Sequence, residues 1–518
     1  MDKVYLIGTD IGTSSTKSIL MDTRGNLHAT SLSEYGVLMP KALWAEQWPD
    51  IWIDAVKKTI REVVINAGVR PENVAGICIS GLYGGSGVPC NAEMNAIRPC
   101  IIWMDRRSVK ESKWVIDNIG AERLYNITTN GADPYYGFTK ILWIKNNEPE
   151  NWNKINVFLP PNCYAIYKLT KEICIDQSSA GNIGGIFDME KRECSIEMLN
   201  AMDIPVSFMP ERIVRPGEIV GHLTNEAAKE VGLISGIPVC SGGVDCLPAT
   251  LGAGVFKPGQ HVAMIGTSMG WGYVHDKPLL AKNLVTMPYV IDSDKLLYTF
   301  GGAATAGALL KWFRDNFAQL EVLNEQKGKL NAYKALDKEA EKIDPGSMGL
   351  VILPYFMGER APIWDVNARG IIFGLTLLHT KAHIYRALME SVAYSLKHTM
   401  ENVHIGSRLG DKLVITGGVT KSKLWRQIFA DVTGYPVLCP RGEVEAPLGD
   451  IFLAGAGTGV IDYSETKKWV KFDELIMPDP ELNNLYDKYY EQYKEIYLQL
   501  KGNMENMAII ISGSFDQR

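Results

Sequence analysis

Ile7-Gly8-Thr9-Asp10-Ile11-Gly12-Thr13-Ser14-Ser15-Thr16-Lys17 follows a short apolar start, and its reading decides the fold. Residues 4–7 form a β-rich run, residues 8–15 a turn-rich segment and residues 16–21 a returning apolar run, which together predict a hairpin. The frame then recurs. Residues 262–270 read V-A-M-I-G-T-S-M-G and repeat I-G-T-x-x-G, placing Gly8 and Gly266 258 residues apart in a chain of 518. Two strand–Gly-Thr–turn units half a chain apart predict two similarly built α/β domains facing each other.

A turn of this composition exposes several backbone N–H groups, and small residues let a phosphate approach them. The hydroxyls of Thr13 and Ser14 add donors, Lys17 adds positive charge, and Asp10 at a strand end suits a hydrated divalent cation. The spacing differs from G-x-x-x-x-G-K-[ST], because Thr16 stands where that loop needs glycine. A plain hairpin turn is the alternative, and a carboxylate beside three hydroxyls speaks against it.

Outward from the two units, short apolar runs alternate with helical periodicity. Residues 50–64 place Ile51, Ala55, Ile60, Val63 and Val64 along one helical face. The runs 74–80 and 413–416 read as buried parallel strands closed by glycines. Residues 381–398 predict a long helix, residues 449–459 a Gly/Ala-rich helix packed close to another backbone, and the tyrosine stripe from Leu485 to Leu500 a helix laid on the body. The expected division is residues 1–254, residues 255–462 and a helical tail over 463–518.

Further residues carry chemistry. In Gly242-Gly243-Val244-Asp245 a carboxylate ends an apolar run, where it suits a general base or a helix cap. Trp103-x-Asp105-x-Arg107 joins an apolar platform to bidentate hydrogen-bonding groups, the set that grips polyhydroxy compounds; a salt bridge beside a buried indole is the alternative. Gly417-Gly418-Val419-Thr420-Lys421-Ser422 between a strand and a helix lets a nucleotide lie against backbone. His379 and His383 have the spacing of a zinc pair without the H-E-x-x-H glutamate, and Gly455-x-Gly457-x-Gly459 ends a helix where a dinucleotide motif would open one. Gly358-Glu359-Arg360-x-Pro362 reads as an ion-paired turn whose role stays open.

Composition narrows the classes. Apolar residues make up 46% and charged residues 22%, ordinary for globular domains. With 53 basic against 59 acidic residues the net charge is −6, so no global basic field addresses nucleic acid or anionic lipid. Nine cysteines form no C-x-x-C pair and sit mostly in apolar runs, which predicts reduced thiols in a cytoplasmic protein. No apolar run approaches the ~18–20 residues of a membrane span, and Asp10 interrupts the early apolar stretch, so no signal peptide is expected.

Taken in order, these motifs resemble the FGGY family of carbohydrate kinases, its xylulokinase-like members most closely. The resemblance runs from D-I-G-T-S-S-T-K at residues 10–17 through W-M-D-R-R at 103–107, K-I-L-W-I-K-N-N-E-P-E at 140–150, G-G-V-D at 242–245, I-G-T-S at 265–268 and G-E-R-A-P-I-W at 358–364. G-I-I-F-G-L-T-L-L-H-T-K-A-H-I-Y-R-A-L-M-E at 370–390 is its most specific piece. It implies two actin-like, ribonuclease-H-like domains across a cleft. It further implies ATP and Mg²⁺ as cofactors and phosphate transfer to a small sugar or polyol, D-xylulose first. By this resemblance Asp245 is the base and Asp10 places Mg²⁺. Gly12, Thr13, Ser14 and Lys17 form one phosphate loop, and Gly266 and Thr267 the other. Gly307, Gly417, Gly418 and Ser422 lie along the nucleotide, while Trp103, Asp105 and Arg107 meet the sugar.

One segment departs from the family pattern. Xylulokinases carry G-Q-M-H-G where this chain reads Gly81-Leu82-Tyr83-Gly84-Gly85, so Tyr83 and Gly84 replace a substrate-touching Met-His pair. The glycine is expected to open space. Another ketopentose, a gluconate-like acid or a tetritol is then the alternative acceptor, and an actin-superfamily ATPase without a sugar the alternative class. Nucleic acid and membrane are not expected as partners, and a homodimer is compatible.

Overall fold

The computed structural model describes residues 4–277, 283–403, 409–442 and 445–515. Two six-stranded sheets form the body. The first contains β1 (Tyr5–Ile11), β2 (Ser15–Asp22), β3 (Leu27–Glu34), β4 (Val74–Gly81), β5 (Ile219–His222) and β6 (Pro238–Val244), in the order β5-β6-β4-β1-β2-β3. The second contains β7 (His261–Ile265), β8 (Met269–His275), β9 (Val285–Pro288), β10 (Leu297–Gly301), β11 (Leu413–Gly417) and β12 (Val437–Leu438), in the order β9-β10-β8-β7-β11-β12. In each, the first strand of an antiparallel hairpin is flanked by two successive parallel strands, β4 and β6 or β11 and β12. This shared plan is the actin-like architecture.

The first hairpin is tighter than its turn-rich composition predicts. Gly8, Thr9 and Asp10 lie inside β1, and the turn is confined to residues 12–14. Thr9 fits the strand because its Oγ1 meets Ser18 Oγ across the pair at 2.9 Å. Gly8 fits because a Cβ there would fall 2.1 Å from the carbonyl oxygen of Pro447. The second turn spans residues 266–268. The repeat therefore aligns Ile11-Gly12-Thr13-Ser14 with Ile265-Gly266-Thr267-Ser268, an offset of 254 residues. The 258-residue frame is corrected accordingly, because its first Gly-Thr is strand and not turn.

Helix α1 (Pro49–Ala67) buries Trp52, Ile53, Ile60 and Val63 in the core of the first sheet. Helix α2 (Gly307–Phe317) begins at the second turn, and α3 (Lys381–Glu401) and α4 (Lys423–Thr433) share the core of the second sheet. The glycine-rich helix α5 (Ala446–Gly457) packs against β1 and β4 of the first sheet. A Cβ on Gly449 would stand 1.9 Å from the carbonyl oxygen of Pro248, so the close backbone approach is real. By packing, α5 belongs with the first sheet, although its place in the chain puts it among residues 255–462. Helix α6 (Pro480–Phe515) lays Tyr486, Tyr490 and Tyr493 against Tyr394, and Tyr355 donates to Tyr493 Oη at 2.7 Å. All nine cysteines are free thiols. Among the described residues no helix is long and apolar enough to cross a membrane.

Candidate active site

The ends of β1, β4 and β6 and the start of α5 bring four carboxylates to one place. Ser80, at the end of β4, sets its Oγ 3.1 Å from Asp10 Oδ1 and 2.7 Å from Asp450 Oδ2. One hydroxyl proton cannot serve two carboxylates. Ser80 Oγ makes the shorter bond by donating to Asp450 Oδ2, and burial pushes the Asp450 carboxyl well above the ordinary carboxylate range. Asp10 itself is raised to about 8, by burial first and then by the charges of Asp245 and Glu445. Asp245 follows β6 and accepts from the Cys246 N–H at 2.7 Å; burial lifts it to about 6. It also stands at the start of a short helix, so the capping reading of this residue describes its position. Lys17, opposite Asp10 in the hairpin register, pairs with Glu445 at the start of α5.

Three side chains or their carbonyls hold the first turn in shape. Tyr35 donates to the Gly12 carbonyl at 2.7 Å and Gln47 to the Thr13 carbonyl at 2.9 Å. Trp103 Nε1 donates to Thr13 Oγ1 at 2.9 Å. Ser14 is exposed at the tip. The strand before Trp103 is the short Cys100–Ile101, and the indole sits in the turn that follows.

The rest of that motif is corrected. Asp105 is fully buried and accepts from Ala45 N–H at 2.6 Å, Arg107 N–H at 2.9 Å, and Arg107 Nε and Nη2 at 3.0 and 2.7 Å. The Arg107 guanidinium lies 3.7 Å from the Trp44 ring centroid and 4.8 Å from that of Trp143. Arg107 Nη1 also lies 2.7 Å from Glu46 Oε1, so both groups are buried in ion pairs that brace the loop carrying Trp103. Tyr83 is buried in the first-domain core near Cys100 and Cys163. Gly84 does not open space. It has φ +87°, and a Cβ there would meet Tyr135 Cζ at 2.9 Å and Trp103 Cβ at 3.1 Å. The wall beside Trp103 is Tyr135, a residue the sequence reading missed because no motif surrounds it. Asn182 Nδ2 donates to its hydroxyl at 3.3 Å.

On the second domain, the turn 266–268 docks on the start of α2. Gly266 carbonyl accepts from Gly307 N–H at 2.9 Å, and Thr267 carbonyl from Ala306 and Ala308 at 2.9 and 3.1 Å. A Cβ on Gly307 would sit 2.5 Å from the Gly266 oxygen, which accounts for glycine there. Gly307, Gly418 and Ser422 line one cavity of about 600 Å³ together with Tyr333, Tyr385 and Trp425. Gly417, Gly418 and Glu445 line a neighbouring cavity of about 490 Å³. The two meet at Gly418 and form a trough from an aromatic chamber towards Lys17 and Asp10. Sequence spacing missed Tyr333, Asp337 and Tyr385 in that chamber, where Tyr385 donates to Asp337 Oδ1 at 3.3 Å. His379 and His383 serve the start of α3, with His383 Nδ1 2.9 Å from Thr380 Oγ1 in a capping box.

Profiles described as the N-terminal and C-terminal domains of the FGGY family of carbohydrate kinases match residues 5–252 and 261–458. The chain is 30% identical over 500 residues to a xylulose kinase of Lactococcus lactis subsp. lactis, covering 95% of this chain and 96% of that one. It is 29% identical over 460 residues to a gluconokinase of Bacillus subtilis, covering 88% of each. The solved structure of a ligand-bound xylulose kinase from Lactobacillus acidophilus superposes with a TM-score of 0.89 at 25% identity, over 97% of this chain and 99% of that one. On these matches and on the two repeated phosphate-loop sheets, the chain belongs to the FGGY family of carbohydrate kinases.

Proposed function

We propose that the cleft transfers the γ-phosphoryl group of ATP to a hydroxyl of a small open-chain sugar, D-xylulose first. Another ketopentose, a gluconate-like acid or a tetritol is the alternative acceptor. The observation that carries this reading is the meeting of Asp10 and Asp245, 235 positions apart, between the nucleotide trough and the Trp103–Tyr135 wall. Phosphoryl transfer asks the protein for in-line placement and charge compensation, with little covalent chemistry. Asp245, lifted to about 6, is charged at neutral pH and takes the proton of the acceptor hydroxyl. Backbone N–H groups of the turns at Gly12–Thr13 and Gly266–Thr267 hold phosphate oxygens, and Lys17 adds positive charge.

The acidic cluster suits a divalent cation. The charges of Asp245 and Glu445 help push Asp10 up to about 8, a repulsion that a cation would relieve. Mg²⁺ keeps several waters and is bound by one or two carboxylates together with the nucleotide's own phosphates. Asp10 would hold it, and its charge would offset that of the phosphate oxygens. A cytoplasmic homodimer completes the reading; light scattering tests the stoichiometry.

A coupled ADP-release screen over pentuloses, hexuloses, polyols and aldonic acids tests the function. ADP release that depends on one acceptor class is expected. ATP hydrolysis indifferent to every acceptor would favour the sugar-free ATPase instead.

A further inference from the structure

The turn Gly358-Glu359-Arg360 comes from the second domain, yet its arginine ends on the first. Arg360 Cζ lies 5.6 Å from the ring centroid of Trp103. An ion-paired turn was the sequence expectation, and the geometry differs. Glu359 Oε1 accepts from the backbone N–H groups of Ala304 and Arg360, both at 2.7 Å, so its carboxylate faces main chain and not the guanidinium. Among the described residues no carboxylate lies within ion-pair distance of Arg360 (4.0 Å). Nη2 donates to the Ala303 carbonyl at 3.2 Å, while Nε is sealed from solvent and has no hydrogen-bond partner.

A partly buried guanidinium whose Nε is sealed and unpartnered carries a desolvation cost that a ligand on its accessible edge would offset. Its surroundings name the ligand. Trp103 and Tyr135 flank Gly84, and the Tyr135 hydroxyl lies in the fields of both Asp245 and Arg360. The other arginine here, Arg106, is already paired with Asp133 at 2.9 Å. Arg360 feels the charge of Glu359 without forming an ion pair with it, stands beside the acceptor wall, and arrives on a different domain from Asp245.

We infer that Arg360 is a specificity residue of the second domain, binding a carbonyl or carboxylate oxygen of the acceptor against the Trp103 face. The inference rests on the sugar-kinase reading. A planar fork with a fixed donor geometry favours an sp² oxygen over a hydroxyl. Asp245 serves the reacting hydroxyl, so Arg360 takes a different oxygen of the same molecule. Ketoses and aldonates carry such an oxygen, and polyols do not.

The test compares full-length wild type, Arg360→Met and Arg360→Lys with D-xylulose, gluconate and a pentitol, with ATP titrated separately. In Arg360→Met the KM for whichever ketose or aldonate the wild type uses should rise about tenfold or more, while the KM for ATP stays within about twofold. The pentitol should be affected within about twofold. Unchanged acceptor KM, or equal rises for acceptor and ATP, would reduce Arg360 to a packing contact and overturn the inference. If Arg360→Met fails to bind ATP, Arg360→Lys decides: it keeps the charge and loses Nε and the planar stack, and a wild-type acceptor KM there also overturns it. No acceptor-dependent ADP release by wild type would overturn the sugar-kinase reading itself and this inference with it.

Discussion

Trp103 Nε1 donates to Thr13 Oγ1 at 2.9 Å, joining the proposed acceptor wall to the turn after β1. The same indole carries Arg360 on its face, so three functions converge on one ring. Trp103→Phe keeps an aromatic face and removes the donor. A single neutral hydrogen bond is worth roughly 0.5–1.5 kcal/mol, so kcat/KM should fall about two- to tenfold. Trp103→Ala, which also removes the platform, should fall much further. Steady-state kinetics with the preferred acceptor checks both.

Asp245→Asn should remove the proton acceptor while leaving the nucleotide trough intact. General-base loss typically costs about 10²–10⁴-fold in rate. ATP binding by calorimetry should remain near wild type. Because burial raises Asp245 to about 6, the charged base is depleted on acidification, and kcat/KM for the acceptor should decline below about pH 6. A flat profile from pH 5 to 8 would assign the proton elsewhere.

Burial raises the Asp450 carboxyl in the folded protein, so folding favours taking up a proton at this site. Stability therefore decreases as pH rises above the unfolded carboxyl value of about 4. Asp450→Asn retains an acceptor for Ser80 and has no charge to suppress. Its stability relative to wild type should increase between pH 5 and pH 8 in denaturant melts. Asp450→Ala, which strands Ser80 and leaves a void, should cost about 1–3 kcal/mol at either pH.

Gly84 is locked by φ +87° and by contacts to Tyr135 and Trp103. Gly84→Ala should cost about 1–3 kcal/mol of stability and raise the acceptor KM by displacing Tyr135. Gly84→His should abolish acceptor turnover and not shift its preference, because no room exists for an imidazole. Thermal melts together with the acceptor screen separate the two effects.

Much of the architecture was legible in one dimension. Short apolar runs closed by glycines become β4 and β11, and the Gly/Ala-rich segment becomes a helix in close backbone contact, because alternation and small side chains are local signals. The hairpin limits were misread, since Gly8 and Thr9 look like turn residues until Pro447 and Ser18 supply their reasons for being in a strand. Gly84 was misread for the same cause. A glycine in sequence denotes absent atoms, and only its neighbours determine whether that absence is space or a close fit.

By itself, the sequence determined the second Gly-Thr turn, the placing of Asp10 and Asp245 at strand ends, and the family. These are short motifs whose chemistry depends on residue type and local spacing. Tertiary structure alone decided that Asp105 and Arg107 neutralise each other, that Asp450 reaches Asp10 through Ser80, and that Arg360 crosses to Trp103. Hydrogen bonds and ion pairs are spent between residues both near and far in the chain, and only the fold selects among them. Which polar groups are left for a substrate is therefore known only after every other pairing has been made.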